Sequence, residues 1–277
     1  MDKVSIVVAT YNESTNIKNL LSSCFSQSYP NIEIVLVDSL KTSDSTTQIA
    51  RKFTSQVFRY GQERSVQRNY GALKASGKYL LILDADMQID SHVVVSCLEV
   101  IRKHPDTQAV IIPELSIGEG YWAKCKALER NCYLGDPSIE APRFFSRSAF
   151  LKLGGYNPRM ISGEDWDLHR RFKRIGDIGR ISNLIFHNEG RLSLLKDIQK
   201  KFYYSRKSSA YIESNVTGVK GIFLFLFRPA FVRNWKKLLS DPIHLPGLIV
   251  MKSLEFSTGA IAIASQSAFW SKLFSFS

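Results

Sequence analysis

An α/β fold is what this sequence predicts: a mostly parallel sheet flanked by helices, followed by a helical tail of different texture. Three observations predict it. Short β-branched apolar runs alternate with stretches of helical period through the first half of the chain. Three of those runs end in polar clusters, and from about Leu192 basic and aromatic residues interleave. Near-continuous apolar strands separated by helices indicate parallel strands covered on both faces.

The elements follow in order. Val4-Ser5-Ile6-Val7-Val8-Ala9 reads as the first strand, and 15–27 as a helix. A second strand over 32–37 leads into a helical pattern over 43–53, then another over 66–75. Tyr79-Leu80-Leu81-Ile82-Leu83 is the next strand. Asp90-Ser91 caps a helix over 92–103, and 109–112 closes the series. In such sheets ligands bind beyond the carboxyl ends of the strands. Thr10-Tyr11-Asn12-Glu13, Asp38-Ser39 and Asp84-Ala85-Asp86 all fall there.

At 277 residues the chain suffices for one α/β domain with an appendage. The change of texture sets the expected division at 1–191 and 192–277. Apolar residues at 44% and charged residues at 22% exclude a disordered or collagen-like chain. The net charge of +12 attracts phosphate-bearing partners: nucleic acid, nucleotides or anionic lipid. Cys24, Cys97, Cys125 and Cys132 lie far apart without a Cys-x-x-Cys pair, and read as free thiols in a reducing compartment. Met1-Asp2-Lys3 runs straight into a strand, so no secretory signal and a cytoplasmic catalytic part are expected.

The tail sets Lys196, Lys200, Arg228 and Lys236 among Phe202, Tyr211, Phe225 and Trp235. Residues 246–264 are apolar except for Lys252 and Glu255. The longest uncharged stretch, 256–271, contains Ser, Thr, Gln and Gly throughout, and falls short of the ~18–20 apolar residues of a membrane span. Amphipathic helices lying on an anionic membrane surface, peripheral or monotopic on its cytoplasmic face, are expected. The alternative is a helical subdomain packed on the sheet with snorkelling Lys and Arg around it.

Two acidic clusters carry the chemistry. Asp84 and Asp86 flank one residue at a strand end, where carboxylates hold Mg²⁺ or Mn²⁺ together with substrate phosphates. Taken alone, the pair is equally a solvated strand end. Gly163-Glu164-Asp165 opens a helical pattern, as a general base or as acids favoured at a helix N-terminus. Asp38 and Asn12-Glu13 are acceptors for a base or ribose; the alternative is capping of the next helix by Asn12, Ser14 or Thr15. Arg64, Arg68 and Asn69 precede the Asp84 strand, within reach of a diphosphate, or are solvated surface arginines with a neighbouring amide. His187 stands alone after an apolar run and is by type more often structural than a ligand.

In order, Thr10-Tyr11-Asn12-Glu13, Val37-Asp38-Ser39, Gln67-Arg68-Asn69-Tyr70-Gly71, Leu83-Asp84-Ala85-Asp86, Gly154-Gly155-Tyr156 and Gly163-Glu164-Asp165 resemble the family 2 glycosyltransferases of GT-A fold. The resemblance covers residues 4–190. It implies that Asp38 contacts the nucleobase, that Tyr11 and Glu13 line the nucleoside pocket, and that Asp84 sits near ribose and diphosphate. It implies Asp86 as metal ligand, His187 near the metal or diphosphate, and Asp165 of the Glu-Asp pair as base. The turn Asp38-Ser39-Leu40-Lys41 departs from the Asp-Asp-Gly-Ser pattern of many members, which leaves the base unspecified. The tail is similar to that of members acting on polyprenyl-linked acceptors.

The implied reaction moves a hexose from a UDP- or GDP-sugar to a hydroxyl of a lipid-linked acceptor, with inversion and a divalent cation. A polyprenyl phosphate acceptor is the alternative, since an ionised phosphate needs no base. A nucleotidyltransferase normally has a Gly-rich basic loop after the first strand, where this chain has Thr10-Tyr11-Asn12-Glu13. A nucleic-acid-binding module leaves both acidic clusters without a role, and no nucleic acid partner is expected.

Overall fold

The structure, a computed structural model, describes residues 1–160, 162–207 and 230–264. In chain order the first elements are β1 (Val4–Thr10), α1 (Ile17–Phe25), β2 (Ile32–Asp38), α2 (Thr46–Ala50), β3 (Val57–Arg59), α3 (Arg64–Lys74) and β4 (Tyr79–Asp84). Then come β5 (Met87–Ile89), α4 (Val93–Lys103), β6 (Thr107–Ile111), β7 (Glu114–Glu119), α5 (Tyr121–Cys132), β8 (Phe144–Ser146), α6 (Arg147–Lys152) and α7 (Glu164–Phe172). The last are β9 (Asp177–Arg180), β10 (Ile185–Arg191), α8 (Leu194–Lys207), α9 (Ala230–Arg233), α10 (Trp235–Leu239) and α11 (Leu245–Ala264).

Two compact units divide the chain: residues 1–115, 139–158 and 164–188, and residues 116–138, 159–163 and 189–277. In the first, seven strands form one sheet in the order β3-β2-β1-β4-β8-β6-β9. β2 and β4 flank β1 in parallel, and β8 runs antiparallel between β4 and β6. This is the mostly parallel sheet expected. Every residue of β1 is buried. Val4, Ile6 and Val8 join the core on one face with Ile17, Leu20 and Val93, while Val7 joins Ala72, Phe150 and Phe172 on the other. Alternate side chains of a strand point to opposite faces, so a strand covered on both is apolar throughout.

Local chemistry adjusts the elements. α2 is shorter than the expected 43–53 because Asp44 takes the N–H groups of Ser14 and Thr46 and holds a turn there. The cap of α4 is also displaced. His92 is its N-cap residue, and the Asp90 carboxylate accepts from the His92 N–H at 3.0 Å. Gly71 lets α3 lie close on the sheet, since a Cβ there would strike Val7.

In the second unit, Cys125 and Leu128 of α5 close on Leu248 and Met251 of α11, with Trp122, Leu194, Leu238 and Leu245 around them. The second unit therefore includes α5, which the expected boundary at 191 left with the sheet: α5 supplies Trp122, Cys125 and Leu128 to this cluster. No described helix is long and apolar enough to cross a membrane. Tyr211, Phe225, Arg228 and residues 265–271, all part of the membrane reading, lie outside the described residues.

Candidate active site

Parallel register brings the polar strand ends to one edge. Thr10 pairs with Asp38, and Ala9 with Asp84, so the two aspartates flank β1 at roughly 10 Å, two strand spacings. Gln67 of α3 ties this edge together, donating to the carbonyls of Thr10 and Val37 at 2.9 Å each. Tyr11 is exposed. Glu13 accepts from the Asn16 amide at 2.9 Å, and its backbone N–H donates to Thr46. Asp38, expected at the nucleobase, is fully buried. Its Oδ1 accepts from the hydroxyls of Thr10 (2.7 Å) and Thr42 (2.8 Å), so it braces the turn over 39–42 from inside.

At the end of β4 the chain turns through Ala85 and Asp86 into β5, which pairs antiparallel with the start of β10. His187 stands opposite Met87 in that register. Its Nε2 lies 3.2 Å from Asp86 Oδ2, which joins two of the expected metal ligands across 101 positions of sequence. Asp86 Oδ1 is buried with no hydrogen-bond partner among the described residues. A carboxylate with a spare buried oxygen beside an imidazole fits Mn²⁺ or Mg²⁺, ions that take one or two protein ligands and complete their shell with substrate phosphates and water. Among the described residues no three His, Cys, Asp or Glu side chains form a larger group.

Arg68 is the hub of the site. It is fully buried, not reaching outward to a diphosphate as expected. Its Nη2 binds Asp84 Oδ1 at 2.5 Å, and its Nη1 lies 3.3 Å from Asp165 Oδ1 and 3.6 Å from Glu164 Oε1. The Tyr156 ring stacks below it at 5.0 Å. The planar fork of a guanidinium suits it to hold carboxylates on two sides. The two acidic clusters thus belong to one site.

Four expected roles change with this geometry. Besides Arg68 itself, Asp84 is no open metal ligand, because Arg143 takes its second oxygen at 3.3 Å. Burial alone would raise the Asp84 pKa, but Arg68 and Arg143, with Arg64 behind them, hold it well below the usual carboxylate range. Asn69 faces the protein: its amide donates to the Tyr156 carbonyl (2.7 Å) and accepts the Tyr156 N–H (2.9 Å). A Cβ on Gly155, at φ +66°, would strike the Asn69 amide, so this loop requires its glycine. Glu164 is no free base. Its side chain is 1% exposed and pairs with Arg64 at 2.6 Å, whereas the Asp165 side chain is 31% exposed. Burial and the neighbouring Asp165 raise the Glu164 pKa against the pull of Arg64 and Arg68.

Arg143 escaped the sequence reading. A lone arginine ahead of the three-residue β8 carries no pattern, yet it bridges Asp84 and Glu114, the latter at 2.5 Å. Arg171 also went unread in this role. It leaves α7 to donate to the carbonyls of Leu153 (2.8 Å) and Gly155 (2.7 Å), and so holds the Gly154-Gly155-Tyr156 loop together with Asn69.

Known proteins share this arrangement of elements. The poly(ribitol-phosphate) beta-N-acetylglucosaminyltransferase TarS of Staphylococcus aureus is 31% identical over 232 residues, 76% of this chain and 38% of that protein. The poly-beta-1,6-N-acetyl-D-glucosamine synthase of Staphylococcus epidermidis is 26% identical over 191 residues, 61% of this chain and 46% of that one. The chain spans 21%, 46% and 60% of the length of three curated relatives it matches. Among solved structures, S. aureus TarS 1-349 in complex with UDP-GlcNAc aligns at a TM-score of 0.56 and 14% identity, over 98% of this chain and 92% of that one. The mannosyltransferase PcManGT from Pyrobaculum calidifontis, in complex with GDP-Man and Mn²⁺, aligns at 0.57 and 17%, over 96% and 75%. At such identities these structures show the fold, which is GT-A. The model of glycosyl transferase family 2 matches residues 5–150, more than half of the sequence, and the chain belongs to that family.

Proposed function

We propose that this chain transfers a hexose from a UDP- or GDP-sugar to a hydroxyl of a lipid-linked acceptor, with inversion at the anomeric carbon. The observation that carries the proposal is the position of Asp165: partly exposed, at the start of α7, and tethered by Arg68 to the Asp84 end of the sheet. A relative named as an N-acetylglucosaminyltransferase supports the reaction class, and structural neighbours holding UDP-GlcNAc or GDP-Man support the donor class.

Asp165 takes the proton of the acceptor hydroxyl as the new bond forms, a role worth ~10²–10⁴-fold in rate. Arg68 fixes the direction of that carboxylate. Tyr11 and Glu13, beyond the end of β1, offer the nucleoside an aromatic face and an acceptor. Asp86 and His187 would hold Mn²⁺ or Mg²⁺, which when bound supplies positive charge to the leaving diphosphate. For a lipid-linked acceptor the support lies in the second unit, where Trp235, Leu239 and Ile243 are exposed beside Lys236.

The test is a panel of radiolabelled UDP- and GDP-sugars incubated with the protein, Mn²⁺ and a membrane extract. Label from one donor is expected to enter the lipid phase, and to fail to do so with Asp165→Asn. Transfer from no donor overturns the proposal. Unchanged transfer to a lipid phosphate by Asp165→Asn moves the acceptor to a polyprenyl phosphate.

A further inference from the structure

Helix α11 turns its charges inward, beside the buried Leu248 and Met251, and leaves its outer face apolar. Its two charged residues, Lys252 and Glu255, turn toward α5 and α8. Lys252 Nζ lies 2.8 Å from Glu129 Oε1 and 2.6 Å from Glu255 Oε2. Lys126 Nζ lies 2.7 Å from Glu255 Oε1 and 3.1 Å from Glu129 Oε2, with Asp197 of α8 at 3.7 Å. Glu129 and Glu255 are buried, and the Tyr133 hydroxyl donates to Glu129 at 2.8 Å. The opposite face of the helix is exposed and uncharged. Positions 246, 249, 250, 253, 254, 256, 257 and 261 are all exposed. At ~100° per residue they fall in a single arc of about 160°. Its large side chains are Ile249, Val250, Leu254, Phe256 and Ile261.

A helix facing water has the reverse arrangement, with charge outward and the apolar stripe inward. Burying paired charges gains little over apolar packing, so the inward network is no reason of its own for this orientation. An exposed apolar strip some 18 Å long, twelve residues at 1.5 Å each, is a surface that a soluble monomer normally keeps covered. Both features follow if hydrocarbon, not water, lies on the outer side. The flank agrees. On α10, Trp235 and Lys236 are exposed, with Leu239 and Ile243 following. Tryptophan favours the headgroup layer and lysine the anionic leaflet. The chain carries a net charge of +12, which attracts an anionic surface and repels a second copy.

We infer that the outward face of α11 docks into the interfacial layer of an anionic phospholipid bilayer with the helix lying in the membrane plane, together with Trp235 and Lys236 of the preceding α10. The docking face is independent of the transfer chemistry proposed above. It places the protein where a lipid-linked acceptor is presented.

Sedimentation of the full chain with vesicles tests this, using phosphatidylcholine with and without phosphatidylglycerol. The wild-type protein is expected to pellet with the phosphatidylglycerol vesicles and much less with phosphatidylcholine alone. Ile249→Glu and Leu254→Glu, each on the exposed arc, should weaken that binding roughly tenfold or more while leaving the melting temperature unchanged. Wild-type protein that stays in the supernatant, or variants that pellet as the wild type does, overturn the inference. So does gel filtration in which the wild type is a dimer and the variants are monomers, since a second copy then covers the face. UDP titrations on the same samples should be unaffected by either variant, which separates a failed membrane contact from a failed nucleotide site.

Discussion

Arg68 Nη1 lies 3.3 Å from Asp165 Oδ1, across 97 positions of sequence. The same guanidinium binds Asp84 and is fully buried, so no water can replace it. Arg68→Ala would leave the Asp84 and Glu164 carboxylates short of a buried partner. Breaking a buried pair from one side costs about 3–5 kcal/mol. Chemical denaturation should show a loss of that size. Arg68→Lys should recover part of it and still lose most of the transfer rate, because one ammonium cannot hold two carboxylates in fixed directions. A lysine variant with wild-type turnover would remove Arg68 from the positioning of Asp165.

Glu164 and Asp165 are neighbours in sequence with opposite surroundings. Asp165→Asn is expected to reduce transfer by ~10²–10⁴-fold with UDP affinity and melting temperature close to wild type. Glu164→Gln should do the reverse in kind, lowering the melting temperature through lost pairing with Arg64 and Arg68. Initial rates, UDP calorimetry and melts on both variants check the asymmetry. Equal rate losses with equal destabilisation would mean that the pair acts as one structural unit.

Asp86 and His187 should carry the metal dependence. In titrations of UDP with and without Mn²⁺, the wild type is expected to bind more tightly with the ion. Asp86→Ala should abolish that gain. His187→Ala should weaken it on the order of tenfold, as loss of a metal-site partner typically does. Asp84→Asn should retain most of it, since both Asp84 oxygens are turned to arginines. A gain that survives in Asp86→Ala would place the ion elsewhere.

Legibility in the sequence followed the range of the forces involved. β1, β2 and β4 were readable because a strand buried on both faces must be apolar at every position, a constraint local to each segment. The edge they share was readable too, since parallel strands point their carboxyl ends the same way. The burial of Arg68 was not. An arginine ordinarily reads as surface, and what draws this one inside are carboxylates 16 and 97 positions away. The resemblance singled out Asp165 as the base, but nothing in the sequence marked Glu164 as its buried, paired neighbour. Successive helical residues differ by ~100° in direction, and which of the two points inward depends on the placement of Arg64 and Arg68. In α11 the sequence showed two charges in an apolar run, but that both turn inward depends on Lys126 and Glu129, more than 120 positions away.

Acid stability should report the Asp84 site directly. In the folded protein its pKa is held well below the ordinary carboxylate range, against the opposing effect of burial, by Arg68, Arg143 and Arg64. Unfolded, it returns to about 3.9. A carboxylate with a depressed folded pKa contributes stability that is fully present above the unfolded value and is lost as pH falls toward the folded one. Above pH ~5 this contribution is constant, and below pH ~4 it declines. Glu33, held low by Ser5, Lys3 and Ser76 despite burial, and Asp44, lowered to about 2 against burial by Thr46 and Ser14, act in the same direction, so the wild-type acid limb is a composite. Asp84→Asn isolates one share of it. Its melting temperature should lie furthest below wild type at neutral pH, and the gap should narrow as pH falls from about 4 to 2, because the wild type then begins to lose what the variant already lacks. Melts across that range check it; a gap independent of pH would mean that Asp84 contributes through packing and not through its charge.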